Sequence, residues 1–308
     1  MRKFILRRIF SLIPVLIGVT LIVFLIMSLA PGDPAKVILG LEATEEQIQR
    51  LRTEMGLDDP VMVQYGRYMV NLIQGDMGLS YKTKRPVTEE VWARFPHTVG
   101  LSLTAMAFAV LFALPLGIIA AVKQNTFVDG LSMFLALIGV SMPVFWFGLL
   151  LILFFALKLG WFPSSGSDSW KSLVLPSIAI GFIQMAAVAR ITRSSMLEVI
   201  RQDFIRTARS KGLSYGAVIR KHALKNALIP TVTVIGLQFG NLLGGAVIVE
   251  TVFAWPGLGR LMVTSIQGRD IPMVMGCIIV FAVTFSVMNL IVDLLYGFID
   301  PRIKSMYS

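Results

Sequence analysis

The chain has 308 residues, 56% of them apolar, with a mean hydropathy of +0.76 and only 15% Asp, Glu, Lys and Arg. Soluble domains are roughly a quarter charged, and here the apolar residues gather into long runs, which excludes a water-soluble globular protein. The net charge of +10 would suit nucleic acid, but the cations flank the apolar runs, where excess Lys and Arg marks the cytoplasmic side of a membrane.

Runs of about 20 apolar residues match the ~30 Å hydrocarbon core of a bilayer at ~1.5 Å per helical residue. Six spans are predicted, at 9–29, 99–122, 131–157, 173–192, 228–249 and 272–297. The first follows Arg2, Lys3, Arg7 and Arg8 and resembles a signal peptide. Its apolar stretch is too long for that role, and no small-x-small cleavage site precedes Pro31-Gly32-Asp33-Pro34, so it reads as a retained anchor.

Residues 31–97 follow, with eight basic and ten acidic residues. Thr44-Glu45-Glu46-Gln47 is a capping box, with Ile48, Leu51 and Met55 on one helical face and Gly56 as a stop. Asp59-Pro60 starts a second helix with Val61, Tyr65, Tyr68 and Leu72 on one stripe before Gly75. A third, short helix is expected from Thr88, its Glu89 and Glu90 favoured by the helix dipole. This segment reads as a folded lid or as a contact surface for a partner protein.

Between the fourth and fifth spans the pattern changes. Leu197, Ile200, Phe204 and Ala208 form an apolar stripe at helical spacing, Gly212 stops the helix after Lys211, and Ser214 can cap a second helix running to Pro230. Eight basic residues of this region, Arg193 to Lys225, stand against Glu198 and Asp203 alone. The result is a basic helix–turn–helix elbow over 198–230. It suits either anionic headgroups or insertion into a groove on a partner.

The fifth span carries Gly236, Gly240 and Gly244 on one face, which serves either close helix packing or a wall with room for a solute. Gln238 and Asn241, with Gln184 in the fourth span, are polar groups that line a pathway or bond helix to helix. The single cysteine, Cys277, lies in the last span and permits no intrachain disulfide. The N-terminal tail, the elbow and the tail with Arg302 and Lys304 fall on one side of six spans. The positive-inside rule makes that side cytoplasmic.

No Gly-x-x-x-x-Gly-Lys-Ser/Thr loop, His-Glu-x-x-His or Gly-x-Ser-x-Gly occurs, and His97 and His222 fall on opposite sides of the predicted membrane. Nucleotide, metal and hydrolytic chemistry are therefore unsupported in this chain. Arg190, Glu250 and Asp293 sit near span ends rather than at mid-depth. Asp293 is the first candidate for a proton site, with a structural hydrogen-bonding role as its other reading, and an ion-coupled carrier would act through Asp293 or Glu250.

The elbow resembles that of the inner-membrane permeases of ATP-binding-cassette importers, in the dipeptide/oligopeptide/nickel family. Ala189-Arg190-Ile191-Thr192-Arg193-Ser194-Ser195-Met196-Leu197-Glu198 is similar to the family's fourth-span exit. Arg206-Thr207-Ala208-Arg209-Ser210-Lys211-Gly212-Leu213-Ser214 is similar to its ATPase-docking loop, with Arg206-Thr207-Ala208 where the general motif begins Glu-Ala-Ala. His222 to Pro230 completes that loop. Further resemblances run in order along the chain: Arg7-Arg8 to Ile13-Pro14, Gly56-Leu57-Asp58-Asp59-Pro60, Gly75-Asp76-Met77-Gly78-Leu79-Ser80, Leu159-Gly160-Trp161-Phe162-Pro163, Phe253-Ala254-Trp255-Pro256-Gly257-Leu258-Gly259 and Asp300-Pro301-Arg302.

The resemblance implies an all-α integral membrane protein, like a type I ABC importer permease. Its parts would be a tail and first span (1–30), a helical extracytoplasmic segment (31–97), a five-helix core (98–300) and a cytoplasmic tail (301–308). It implies a multi-pass protein of the bacterial inner membrane with both termini cytoplasmic. The implied partners are a second permease, two cytoplasmic ATP-binding subunits and an external binding protein. Besides the bilayer it would meet no nucleic acid. This chain would hold no cofactor and no ATPase; ATP and Mg would serve the partner ATPases. Arg206, Thr207, Ala208, Lys211, Gly212, Leu213, Ser214 and Tyr215 would couple to those ATPases. Gln184, Gly236, Gln238, Gly240, Asn241 and Gly244 would line the path. The implied cargo is short peptides, with glutathione and nickel chelates as rivals; Gly166-Ser167-Asp168-Ser169-Trp170 resembles glutathione-type members. An ion-coupled carrier and a non-transporting scaffold are the readings from other classes.

Overall fold

The computed structural model describes residues 2–29, 32–40 and 42–299, and their side chains except those of 2–9, 12, 244, 245, 293 and 295–299. The expectations for Asp293, Gly244 and the tail from Asp300 thus lie outside the described side chains and residues. Described residues form helices and turns, with one isolated antiparallel bridge between Leu79 and Pro86. The chain divides into two compact units, Met1–Thr98 with Pro256–Ser286, and Val99–Trp255 with Val287–Ser308.

In the first unit, α1 (Arg2–Leu29) is followed by α2 (Pro34–Leu39), α3 (Glu45–Met55) and α4 (Val61–Ile73). Local chemistry sets these boundaries. Thr44 Oγ1 accepts from the Gln47 amide at 3.3 Å while Gln47 Oε1 accepts from the Thr44 amide at 2.9 Å, and Gly56 ends α3 at φ +63°. Arg52 of α3 bridges Asp33 and Asp58, each at 2.8 Å. Burial pushes the Asp33 carboxyl up, but the hydrogen bonds from Arg52 and the Ala35 amide, with the charges of Arg52 and Lys36, outweigh it and hold the group below its usual range.

The expected short helix from Thr88 is instead the first turn of α5 (Val87–Val122), a 36-residue helix that begins before the predicted span and contributes to both units. The helix runs on past residue 98 although Pro96 and Gly100 lie within it. Later in the first unit come α13 (Leu258–Gln267) and the start of α14 (Ile271–Ile299). Asp270, only 2% exposed, caps α14. Its carboxylate accepts from Met273 N at 3.4 Å, Tyr81 N at 3.0 Å and Ser80 Oγ. Burial, with the Asp270 charge beside it, raises the Tyr81 phenol to about 12. Val87, Val91, Leu258, Leu261, Met273 and Cys277 close the core of this end.

The second unit is organised by α8 (Val174–Ile200), preceded by a 3₁₀ turn, Trp170–Leu173. Its span has 67% of its most apolar window buried, against 39% or less for the other long spans. Small residues permit this. A Cβ on Gly181 would stand 2.6 Å from the Ala105 carbonyl of α5, and one on Gly117 of α5 would stand 2.7 Å from the Ala189 carbonyl. Lipid offers no hydrophobic gain for helix association, so close van der Waals approach must supply it.

The predicted third span is broken. The helices α6 (Phe127–Ser141) and α7 (Val144–Leu151), the latter continued by a π-helical segment Ile152–Lys158, are bent by 103°. Pro143 has no N–H to donate and forces Met142 into an extended conformation, φ −83° and ψ 131°. Four described helices are long and apolar enough to cross a membrane, Val87–Val122, Trp170–Ile200, Tyr215–Leu243 and Ile271–Val292, with the bent pair as a fifth if it is one span. Ile13–Leu29 of α1 is a shorter apolar helix.

Two outcomes are expected. Gly181→Val overpacks the α5–α8 contact and costs about 1–3 kcal/mol, read as a lowered Tm in detergent. Because the native carboxyl is depressed, Asp33 stabilises fully above the ordinary carboxylate range and loses that contribution as pH falls through its lowered value. The Tm of wild type and Asp33→Asn should therefore differ at neutral pH and converge in acid.

Candidate functional site

The basic elbow is built in three pieces. The helix α8 runs past the predicted span end to Ile200 and stops at Arg201 and Gln202, of which Gln202 is extended at ψ 152°. Then α9 (Asp203–Ser210) forms, followed by Lys211 and Gly212, the latter at φ +80°. Ser214 precedes α10 (Tyr215–Val218) at the N-cap position but makes no side-chain cap bond. A π-helical segment, Ile219–Ala223, leads into α11 (Leu224–Gly245). A Cβ at Gly212 would meet nothing within 4 Å. Glycine serves there for its left-handed backbone, not for space.

The break at Arg201 changes the phase of the apolar stripe. Ile205 and Ala208, not Phe204, are buried, and they share a core with Met196 of α8, Ala121 of α5, and Val218, Ile219, Ala223 and Ala227. Phe204 is exposed, correcting the expectation of a single face through 197, 200, 204 and 208. The elbow is thus wedged among three helix ends. Across its turn the Arg209 guanidinium lies 4.7 Å from the centre of the Tyr215 ring. Phe204, Leu213 and Tyr215 present 42–43% of their surface outward. Arg206 is also exposed and meets Asp203 at 3.6 Å. Arg206, Thr207, Ala208, Lys211, Gly212, Leu213, Ser214 and Tyr215 therefore form one continuous turn, of which Ala208 is the buried anchor.

Sequence reading overlooked Asp129. It is 5% exposed and grips Arg193 of α8 through two hydrogen bonds, 2.6 Å and 2.8 Å, while also accepting from the Asn125 amide at 3.0 Å. Asn125 takes φ +61°, which brings its amide round to the carboxylate. The pair ties the start of α6 to α8 just before the elbow. A lone acid amid apolar residues was the available signal.

Of the predicted path residues, three meet. Gln238 Nε2 of α11 donates to Gln184 Oε1 of α8 at 2.7 Å, and Asn241 Nδ2 donates to Gln238 Oε1 at 3.3 Å. Asn241 is exposed at the end of this row. Gly236 does a different job, since a Cβ there would overlap a methyl of Val292 on α14. Gly240 is buried. Glu250, expected near a span end, lies in the short α12 (Val247–Val252) and is wholly buried.

The family model for the binding-protein-dependent transport system inner membrane component matches residues 113–305, and that for the N-terminal part of such membrane components matches residues 1–104. The chain belongs to this family. It is an ABC importer permease, a transport component rather than an enzyme. It is 48% identical to the dipeptide transport system permease protein DppB of Alkalihalophilus pseudofirmus, which it covers completely over 99% of its own length. It is 47% identical to the glutathione transport system permease protein GsiC of Escherichia coli strain K12, with 99% of each chain covered. A chain of the MetNI methionine ABC transporter in an inward-facing conformation matches with a TM-score of 0.59 at 18% identity, covering 68% of this chain and 96% of that one. A chain of an amino acid ABC transporter matches at 0.56 and 16%, covering 68% and 94%. The permease is thus a helical, multi-pass protein of the bacterial inner membrane.

Breaking the buried pair should destabilise the permease more than deleting it. Removing one partner of such a pair costs about 3–5 kcal/mol, whereas replacing both by apolar groups is often neutral. In detergent melts Arg193→Met should lower Tm more than the double variant Asp129→Leu with Arg193→Met.

Proposed function

We propose that this permease is half of a membrane channel for ATP-driven, binding-protein-dependent uptake of short peptides. The observation that carries the reading is near-full-length similarity to two permeases whose named cargoes, a dipeptide and glutathione, are both short peptides. In this reading a second, homologous permease completes the channel. Two cytoplasmic subunits bind ATP with Mg, and an extracytoplasmic protein delivers the solute.

The membrane arrangement in this reading has six spans: α1, the four long helices and the bent pair. The basic elbow faces the cytoplasm with both termini, as the positive-inside rule favours. Residues 31–97 then lie largely outside. The exposed Phe204, Leu213 and Tyr215, flanked by Arg206 and Lys211, enter a groove on an ATPase subunit. Movement of that subunit is transmitted because Ile205 and Ala208 are packed among the ends of α5, α8 and α11. Gln184, Gln238 and Asn241 line the solute route and offer neutral amides, the groups that pair with a peptide backbone.

The test is uptake into proteoliposomes holding the assembled transporter. Dipeptide or glutathione accumulation should require the binding protein and ATP, and the preferred peptide separates those two cargoes. Accumulation that followed a proton gradient and ignored ATP would overturn the reading in favour of an ion-coupled carrier. Gly212→Pro should assemble but lose coupling, with substrate-stimulated ATP hydrolysis falling to the unstimulated rate. Normal stimulation in that variant would remove the elbow from the coupling route.

A further inference from the structure

The helix α4 was read from sequence as part of a folded outer segment, yet its contacts lie deep along α1. The Tyr65 hydroxyl sits 2.9 Å from Thr20 Oγ1 and 3.1 Å from the Ile17 carbonyl oxygen. Thr20 and Ile17 precede Leu29, the last described residue of α1, by nine and twelve positions. At ~1.5 Å per residue that is about 14–18 Å along the helix axis, or roughly half of a ~30 Å hydrocarbon core. The α1 helix cannot be raised out of the bilayer to remove this depth. Its apolar run is one span long, and the first charge after it is Asp33. Phe24 stacks beside both Tyr65 and Tyr68, with ring centres 5.6 Å and 6.4 Å away, so the contact is a packed seam rather than a single bond.

The other side of α4 suits the same depth. Met62, Val63, Val70 and Ile73 are 59%, 50%, 56% and 82% exposed. The one charged residue of the helix, Arg67, turns back to Asp59 just ahead of it at 2.5 Å. In hydrocarbon a polar group must find its partner within the protein, and both Tyr65 and Arg67 do so. A helix in water of this length would present several charges outward, as α3 does with Glu45, Glu46, Arg50 and Glu54, where α4 presents Arg67 alone.

We infer that α4 is immersed in the outer leaflet beside the first span, with Met62, Val63, Val70 and Ile73 against phospholipid acyl chains. The occupant is lipid rather than water because the Tyr65 anchor lies at mid-depth and because the single charge on the exposed face, the half-exposed Arg67, is paired with Asp59. This inference does not depend on the cargo or on ATP coupling.

Site-directed spin labelling of the assembled transporter in liposomes tests it. Single cysteines at 62, 63, 70 and 73 in a Cys277→Ala background would carry nitroxides, with Ile22 and Ile26 of α1 as lipid controls and Glu46 of α3 as the aqueous control. Dissolved oxygen should relax the α4 labels far more than water-soluble chromium oxalate does, matching positions 22 and 26. Chromium accessibility like that at position 46 would overturn the inference and return α4 to the aqueous segment. Exclusion of both reagents at all four positions would overturn it too, assigning the face to a protein partner. Four independent positions keep the test decisive if one variant fails to assemble.

Discussion

The second unit depends on how closely the backbone of α8 can approach its neighbours. Within a bilayer the burial of apolar side chains gains nothing over contact with lipid tails. The helix must therefore be held by contacts between backbones, and these exist only where side chains are absent. Gly181 against Ala105, Gly117 against Ala189, and Gly139, where a Cβ would stand 3.1 Å from the Phe182 carbonyl, are such places. The same helix carries Arg193 and runs on to Ile200, where the elbow begins. Fixing α8 on two sides thus fixes the root of the elbow as well. A wedge whose root is rigid and whose tip is exposed can transmit a displacement; a wedge on a loose helix would absorb it.

Much of this organisation is legible in the amino acids, and the misses have physical causes. Caps and stops read correctly where one or two residues decide them, as with Thr44 and Gln47, or Gly56 and Gly212. Apolar run length is a blunter signal. It joined residues 131–157 into one straight span although Pro143 has no amide hydrogen and turns the chain there by 103°. The same bluntness began the second span at 99, because His97, Arg94 and the two glutamates lower the local hydropathy without interrupting the hydrogen-bond ladder of α5.

The elbow shows why periodicity alone misplaces side chains. A stripe through 197, 200, 204 and 208 assumes an unbroken helix, and the break at Arg201–Gln202 shifts the phase by enough to bury Ile205 and expose Phe204. Asp129 was missed for the opposite reason. An acid in the first turn of a helix is so ordinary a partner for the dipole that its isolation among apolar residues does not by itself mark a buried ion pair. Its partner lies 64 residues away, a distance no local pattern spans. The glycine face of α11 carried two meanings, and at Gly236 the contact with Val292 makes it helix packing.

The polar groups of the second unit fall into two kinds that suit different tasks. Arg193 and Asp129 are a charged pair with two short bonds and little exposure; separating them leaves an uncompensated charge, so they serve as a fixed joint. Gln184, Gln238 and Asn241 are neutral amides in a row, with one end exposed. Each amide both donates and accepts, so a bond to its neighbour can be exchanged for one to a passing amide at small net cost. A charged group at that position would hold a zwitterionic peptide by one end and slow its release. In the proposed solute route, a neutral row would let it bind and leave, the property that a route for varied peptides requires.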